Sequence, residues 1–597
     1  MARGRRLAPV TLATRISLPT RAALALIAIH LAVRAWLMVP GEYWQDDFAF
    51  LRRARAEPLS LDYLFHVHNG HVIPVPFLLT WLAAHVHSYL PAALIMLALQ
   101  ALASVALWLM LRSVVGASPA MLVALALALF TPLMFTTVTW WAAGVMMLGM
   151  QIAMALAAHA HVAFQRTRRW YWLTAAVAAL LLGLAFWEKA VLVPAFLVLV
   201  TTLVSGTPRQ TMRTLLRLWP AWLAYAAVSG AYLLAYVHGA SVGQGQARSV
   251  HGVVSLARHQ VVDVFLRGLL GGPWHGIGSP NATWLEGSAF GLVVLAQLLV
   301  AFTVLSYRIS GPRTLVAWAA LLLYLLLDLA LTARGRGLFF VFVQMDPRYV
   351  CDAVPVAALC VAVMLTAPPG RTVGLPSWLT SHAWVAAFAA TLLIFNSAMV
   401  TATLMAPALH RHQVSSYVAH ARSSLAKDPH VVLYDGFVPG SIMIGAFPAR
   451  DKRVSTVLDA YAVKARYDRP SEDMAMLDDS GVVRPFRLAF AQTGEINSAD
   501  ACGVRLDSEH PQAVVPLDTA IPEGDWVMRL DYFAGSDAVV DVVTAGEPQP
   551  VGLVAGRRSL YIPVKGGTAA VELIWRSGDN TVCTSGLTVG LPVPSTS

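Results

Sequence analysis

Ala22-Ala23-Leu24-Ala25-Leu26-Ile27-Ala28-Ile29-His30-Leu31-Ala32-Val33-Arg34-Ala35-Trp36-Leu37-Met38-Val39 runs straight into Pro40-Gly41-Glu42-Tyr43-Trp44-Gln45-Asp46-Asp47-Phe48. The first stretch is apolar and close to the ~20 residues that cross a bilayer as a helix. The second puts two adjacent carboxylates beside Trp and Tyr, at the depth of a membrane surface. Ionisable groups are costly near hydrocarbon, so such a pair is a functional hypothesis from the outset. Arg3, Arg5, Arg6, Arg15 and Arg21 precede the apolar run. No small-residue cleavage site follows it, so a retained first helix is expected rather than a cleaved signal.

The composition agrees with a chain of many spans. Of 597 residues, 57% are hydrophobic and 13% charged, and the mean hydropathy is +0.61. A soluble protein carries about 25% charged residues. The formal net charge of +10 hides a division. Residues 1–404 hold 26 Lys/Arg against 11 Asp/Glu, and residues 405–597 hold 17 against 22. The basic residues sit in short loops between apolar runs, which excludes a nucleic-acid-binding protein.

Further apolar runs near 90–111, 119–136, 141–163, 171–187, 190–205, 216–237, 288–306, 314–332, 350–367 and 382–404 bring the expected spans to about eleven. With the N-terminus in the cytoplasm, the inner loops are those of Arg112, Arg166-Thr167-Arg168-Arg169, Arg209/Arg213/Arg217, Arg308/Arg313 and Arg371. They contain no Asp or Glu, and every loop acid falls on the outer side or its margin. The Lys/Arg bias thus expects a multi-pass cell-membrane protein with a cytoplasmic N-terminus. An odd number of spans puts the C-terminal part outside. The outer side then owns two long loops, 40–89 and 238–287, and long loops on a rigid scaffold commonly carry function. Within the first, Leu59–Leu64 and Val72–His85 read as short amphipathic helices. The second holds several histidines, His275 among them, and an Asn281-Ala282-Thr283 sequon.

Residues 1–404 therefore read as a polytopic membrane domain. Residues 405–484 read as a polar helix and a small α/β lead-in, with Val431-Val432-Leu433-Tyr434-Asp435-Gly436 as a buried strand ending in a turn. Residues 485–597 show short alternating runs between turn residues, expected to form an extracytoplasmic antiparallel β-sandwich. Cys351 and Cys360 lie in an apolar segment and read as small hydrophobes. Cys502 and Cys583 are the pair available for a disulfide if this part lies outside the cytoplasm.

Five groups of polar residues are candidates for chemistry, each with a plainer reading beside it. Asp46 and Asp47 could take a proton from a hydroxyl or hold a divalent cation, or the pair could simply be a helix N-cap or solvated loop acids. The metal requirement is left open, with these two acids as its ligands if there is one. His66-Val67-His68-Asn69-Gly70-His71 offers imidazoles and an amide around a Gly turn, suited to a sugar hydroxyl or phosphate more than to zinc, since no Cys joins it. Glu188-Lys189 joins two spans and serves either as a self-satisfied ion pair or as a carboxylate for a sugar and a cation for a phosphate. Asp328, well inside a span, is expected to pair with a nearby Arg such as Arg334. Asp346-Pro347-Arg348-Tyr349 places a guanidinium at the start of a helix, a geometry that suits phosphate; Arg334 and Arg336 read as snorkelling residues.

Trp44-Gln45-Asp46-Asp47-Phe48, with His68-Asn69-Gly70-His71 and Pro74 after it, a late outer-loop Arg and an outer β domain, resembles the GT-C glycosyltransferases. The resemblance covers roughly residues 20–404. It implies an enzyme that moves a sugar from a polyprenyl-phosphate donor, held in the membrane lipid, to a cell-envelope glycan acceptor on the outer face. It further implies Asp46 or Asp47 as the base, with Asp47 the preferred of the two. Arg348 with Tyr349 and Lys189 would then lie at the donor phosphate, and His68, Asn69, His71 and Glu188 at the sugar or acceptor. Two other readings stand beside it. One is a non-catalytic envelope scaffold or glycan-binding protein; the other is a transporter of lipid-linked sugar, which calls for more polar groups at mid-membrane than these spans hold. Deleting residues 405–597 is expected to abolish a scaffold's role and to leave an enzyme some turnover.

Overall fold

The computed structural model describes residues 17–239, 250–272, 276–277, 286–336, 343–368, 391, 395–400, 411–496 and 502–595. The sequon at Asn281, His275, Arg371 and most of the expected span 382–404 lie outside them. The chain divides into two compact units, Met1–Tyr43 with Arg53–Leu409, and Trp44–Arg52 with His410–Ser597.

The first unit is helical. Among the described residues, seven helices are long and apolar enough to cross a membrane, from Leu18–Met38 to Arg313–Gly335. Shorter apolar helices cover Pro74–Ala84, Pro119–Phe130, Trp170–Phe186 and Cys351–Met364. Every expected span from 22–39 to 350–367 falls on helix. The one at 119–136 is split into Pro119–Phe130 and Leu133–Val138, because Pro132 lacks the N–H that would continue the first helix. Helix starts carry their own signals. The hydroxyls of Ser118, Thr207 and Ser288 accept the backbone N–H three residues on, each cap being worth about 1 kcal/mol.

Trp141–Thr167 is buried along most of its length. It packs closely on Trp170–Phe186: a Cβ at Gly149 would lie 2.0 Å from the Phe186 ring, and Gly183 sits against Ala153. Only glycine permits that approach. The second helix ends at Phe186, and Trp187-Glu188-Lys189 follows it. In the loop 40–89 the structure has helices Asp47–Ala56, Leu61–Leu64 and Pro74–Ala84. The last two were expected, and the first begins at one of the acids.

The second unit starts with the helix Arg411–Lys427 and a small sheet. In that sheet Val432–Leu433 pairs in parallel with Arg466–Tyr467 and Met474–Leu477, and Met474–Leu477 pairs antiparallel with Val483–Arg484. Beyond lie two antiparallel sheets. One orders Gly556–Lys565, Asp525–Ala534, Val582–Pro594 and Phe486–Thr493, with Val504–Leu506 also on Val582–Pro594. The other orders Gln549–Leu553, Ala538–Val543, Thr568–Gly578 and Gln512–Ile521. Inward residues of both, including Met528, Leu530, Ile562, Val571 and Leu573, form one core. Truncating any of these large side chains to Ala costs on the order of 2–5 kcal/mol. A disulfide joins Cys502 to Cys583. The fold is thus a multi-span helical protein with a C-terminal antiparallel β domain.

Candidate functional site

Glu188 and Lys189 stand on a 3-10 turn, Glu188–Leu192, between two apolar helices. With about 3.0 residues per turn, consecutive side chains on a 3-10 turn project about 120° apart, so the two charged residues serve different partners.

Glu188 reaches back to the loop 40–89, where its Oε1 accepts a hydrogen bond from His71 Nδ1 at 2.6 Å. His71 is held there by a two-residue turn. His68 and His71 exchange both backbone hydrogen bonds, at 3.0 and 2.8 Å, with Asn69 at φ 49° and Gly70 at φ 81° between them. Asn-Gly is the pair that favours such a left-handed turn. Asn69 also donates to His68 Nε2 at 3.1 Å, and the Tyr236 hydroxyl donates to the Gly70 carbonyl. His66 faces inward instead. It donates to the Tyr63 carbonyl and stacks on Phe77 at 4.0 Å, and burial lowers its pKa despite the bond to Tyr63. It is a packing residue.

Lys189 turns the other way. Its Nζ donates to the Tyr349 carbonyl at 2.8 Å and to Asp352 Oδ1 at 3.1 Å, and forms an ion pair with Asp328. Tyr324 donates to the other oxygen of Asp352 at 2.9 Å. All four groups are buried. The partner of Asp328 is therefore Lys189 and not Arg334, which is exposed. Six helical residues separate Asp328 from Arg334, about 240° around the helix, so the two share no face. Asp352 is the acid that sequence reading missed as a partner; its only signal was a charge at the head of an apolar run.

Arg348 sits on a short 3-10 turn, Pro347–Tyr349, capped by Asp346. Its Nε donates to Asp346 Oδ2 at 2.7 Å, and its guanidinium lies 4.0 Å from the centroid of the Trp140 ring and 5.4 Å from that of Tyr349. Gln151 donates to the Cys351 carbonyl at 3.0 Å, and Gln260 to the Asp346 carbonyl at 3.2 Å. The late-loop segment is thus tied to neighbouring helices at both ends. His71, Glu188, Lys189 and the Arg348–Asp352 segment consequently form one connected polar group in the helical unit.

Asp46 and Asp47 belong to the other unit. Asp47 is fully buried, and its Oδ2 accepts the Trp44 backbone N–H at 2.9 Å. Asp46 is half-buried. Among the described residues, no three His, Cys, Asp or Glu side chains converge as a ligand set for a metal ion.

Neither a family model nor a curated protein sequence matches the chain. Among solved structures it is similar to ArnT from Cupriavidus metallidurans bound to undecaprenyl phosphate, with 14% identity over 77% of this chain and 94% of that one, at a TM-score of 0.40. It is also similar to arabinofuranosyltransferase AftD from Mycobacteria, with 11% identity over 97% of this chain, at a TM-score of 0.41. A third is the apo oligosaccharyltransferase of Archaeoglobus fulgidus, with 14% identity over 64% of this chain, at a TM-score of 0.34. The chain spans 59% of AftD and 56% of that oligosaccharyltransferase. Likeness at these values carries no argument about activity, which has to come from the residues.

Proposed function

We propose that this chain is a membrane glycosyltransferase that moves a sugar from a polyprenyl-phosphate donor to a hydroxyl of a cell-envelope glycan, on the outer face of the cell membrane. The observation that carries the reading is the convergence on Glu188-Lys189. Through these two neighbours the first outer loop, at His71, and the late outer loop, at Arg348–Tyr349, are joined in one polar group on an apolar helical scaffold.

The chemistry asks little of the protein beyond placement and charge. The acceptor oxygen bonds to the anomeric carbon as the bond from that carbon to the phosphate oxygen breaks. The electron pair leaves with polyprenyl phosphate, and the acceptor's proton passes to a carboxylate. Asp46 is the base in this account. Asp47 is enclosed and bound to Trp44 N–H, whereas Asp46 is only half-buried. Arg348 contacts the donor phosphate: its guanidinium lies over the Trp140 ring, 4.0 Å from the centroid, and its fork of N–H donors is shaped for phosphate oxygens. Lys189 is engaged by two carboxylates, so its part is to fix the Tyr349 backbone beside Arg348. His71, oriented by Glu188, with His68 and Asn69, lines the sugar or acceptor. A lipid donor explains why polar residues gather at the ends of spans: its tail stays in hydrocarbon while its head reaches the loops.

The test is release of polyprenyl phosphate by the purified full-length protein, from a panel of synthetic polyprenyl-phosphate pentoses and hexoses with envelope glycan as acceptor. Asp46→Asn is expected to lower kcat by at least about 100-fold, the usual worth of a positioned base, with unchanged folded yield. Full turnover in Asp46→Asn overturns the assignment.

A further inference from the structure

The segment Trp44–Arg52, although encoded in the first outer loop, is built into the C-terminal unit. Four contacts hold it. Trp44 Nε1 donates to the Ser441 carbonyl at 3.2 Å. The Gln45 backbone N–H donates to the Ile442 carbonyl at 3.3 Å. The Gln45 side-chain oxygen accepts the Ile444 N–H at 3.0 Å. Arg52 Nε meets Asp451 Oδ1 at 2.8 Å, with the carboxylate almost wholly buried. These contacts lie on both sides of Asp46. Gln45 itself is buried and held at φ 53°, a left-handed conformation that is uncommon for a residue of its type.

We infer that the C-terminal unit is the holder of the first-loop acid: residues 441–451 clasp Trp44, Gln45 and Arg52 and thereby set the position of Asp46. The inference rests on the glycosyltransferase reading only for what Asp46 does. The clasp itself is a statement about local order. Gln45, Arg52 and Asp451 are positioning residues. Asp451 accepts no other side-chain cation among the described residues' ion pairs, and Arg52 stands on the helix that Asp47 begins. Loss of either therefore loosens the helix start that carries both acids. A strained residue beside the acid is also accounted for. The two-point grip on Gln45, backbone and side chain, is what keeps it in that conformation.

The experiment uses the full chain in detergent micelles and two readouts. The first is hydrogen–deuterium exchange of the peptide covering residues 44–52. Arg52→Gln, Asp451→Asn and, independently, Gln45→Ala are expected to raise its exchange at least tenfold, with the spans unchanged. The swap Arg52→Asp/Asp451→Arg is expected to restore protection. The second is polyprenyl-phosphate release from the donor panel, with kcat reduced tenfold or more, the donor KM within about twofold, and recovery in the swap. Unchanged exchange in all three variants overturns the clasp. Faster exchange with unchanged kcat, in a protein whose Asp46→Asn variant is inactive, overturns its positioning role. Faster exchange in a protein whose Asp46→Asn variant is fully active leaves the clasp standing and removes Asp46 as the base instead.

Discussion

At the scale of single residues, two neighbouring aspartates do different work. Asp47 supports the turn: it accepts Trp44 N–H across three residues and opens the helix Asp47–Ala56. Asp47→Ala is expected to lower stability by about 1 kcal/mol, as loss of a helix cap does, while Asp47→Asn keeps an acceptor and loses less. Thermal unfolding of both variants beside Asp46→Asn, which is expected to unfold like the wild type, separates the two roles. Lys189 is a second case. It neutralises Asp328 and Asp352 in a buried place, so Lys189→Met leaves two carboxylates without a cation at a cost of roughly 3–5 kcal/mol. Adding Asp328→Asn to Lys189→Met is expected to recover part of that loss in the same unfolding measurement. Unchanged unfolding in Lys189→Met would contradict the buried triad.

At the scale of elements, sequence reading reached the spans and part of the β-strands, without Gln512–Ile521 or Val582–Pro594, but not the pairings between distant charges. Span length and apolar composition are local properties, and the runs from 22–39 to 350–367 all became helix. The Asn69-Gly70 turn and the alternating strands after 485 were likewise legible, since each depends on neighbours in sequence. Lys189 with Asp328 and Asp352, or Trp44 with Ser441 across 397 positions, leaves no such trace. A buried charge announces that it needs a partner but not which one. In the β domain, Arg505 donates to Asp507 at 2.6 Å, and this bond, with those from the His510 backbone and side chain and from Thr581, holds the Asp507 carboxyl well below the ordinary carboxylate range, against the effect of burial. A depressed folded-state value means the stabilisation is full above about pH 4 and is lost as the pH falls through the folded value. Asp507→Asn should therefore unfold at lower temperature than the wild type between pH 5 and pH 7, with the gap closing below about pH 4. A gap that widens toward acid would contradict the assignment.

At the scale of the whole molecule, the division of labour differs from what the sequence implied. The β domain read as an appendage whose removal would leave an enzyme some turnover. Yet the first-loop acids belong to the same unit as residues 410–597, so deleting those residues is expected to remove the acids' support and abolish an enzyme's turnover as it abolishes a scaffold's role. Truncation therefore does not separate the two readings, and point variants do. The most direct measurement is the rate of polyprenyl-phosphate release by the intact protein and by Asp46→Asn, at matched folded concentration, with the donor panel and envelope glycan. The account predicts release by the wild type and a loss of at least about 100-fold in Asp46→Asn. Equal release by the two proteins, or none by a folded wild type with any donor of the panel, would contradict it.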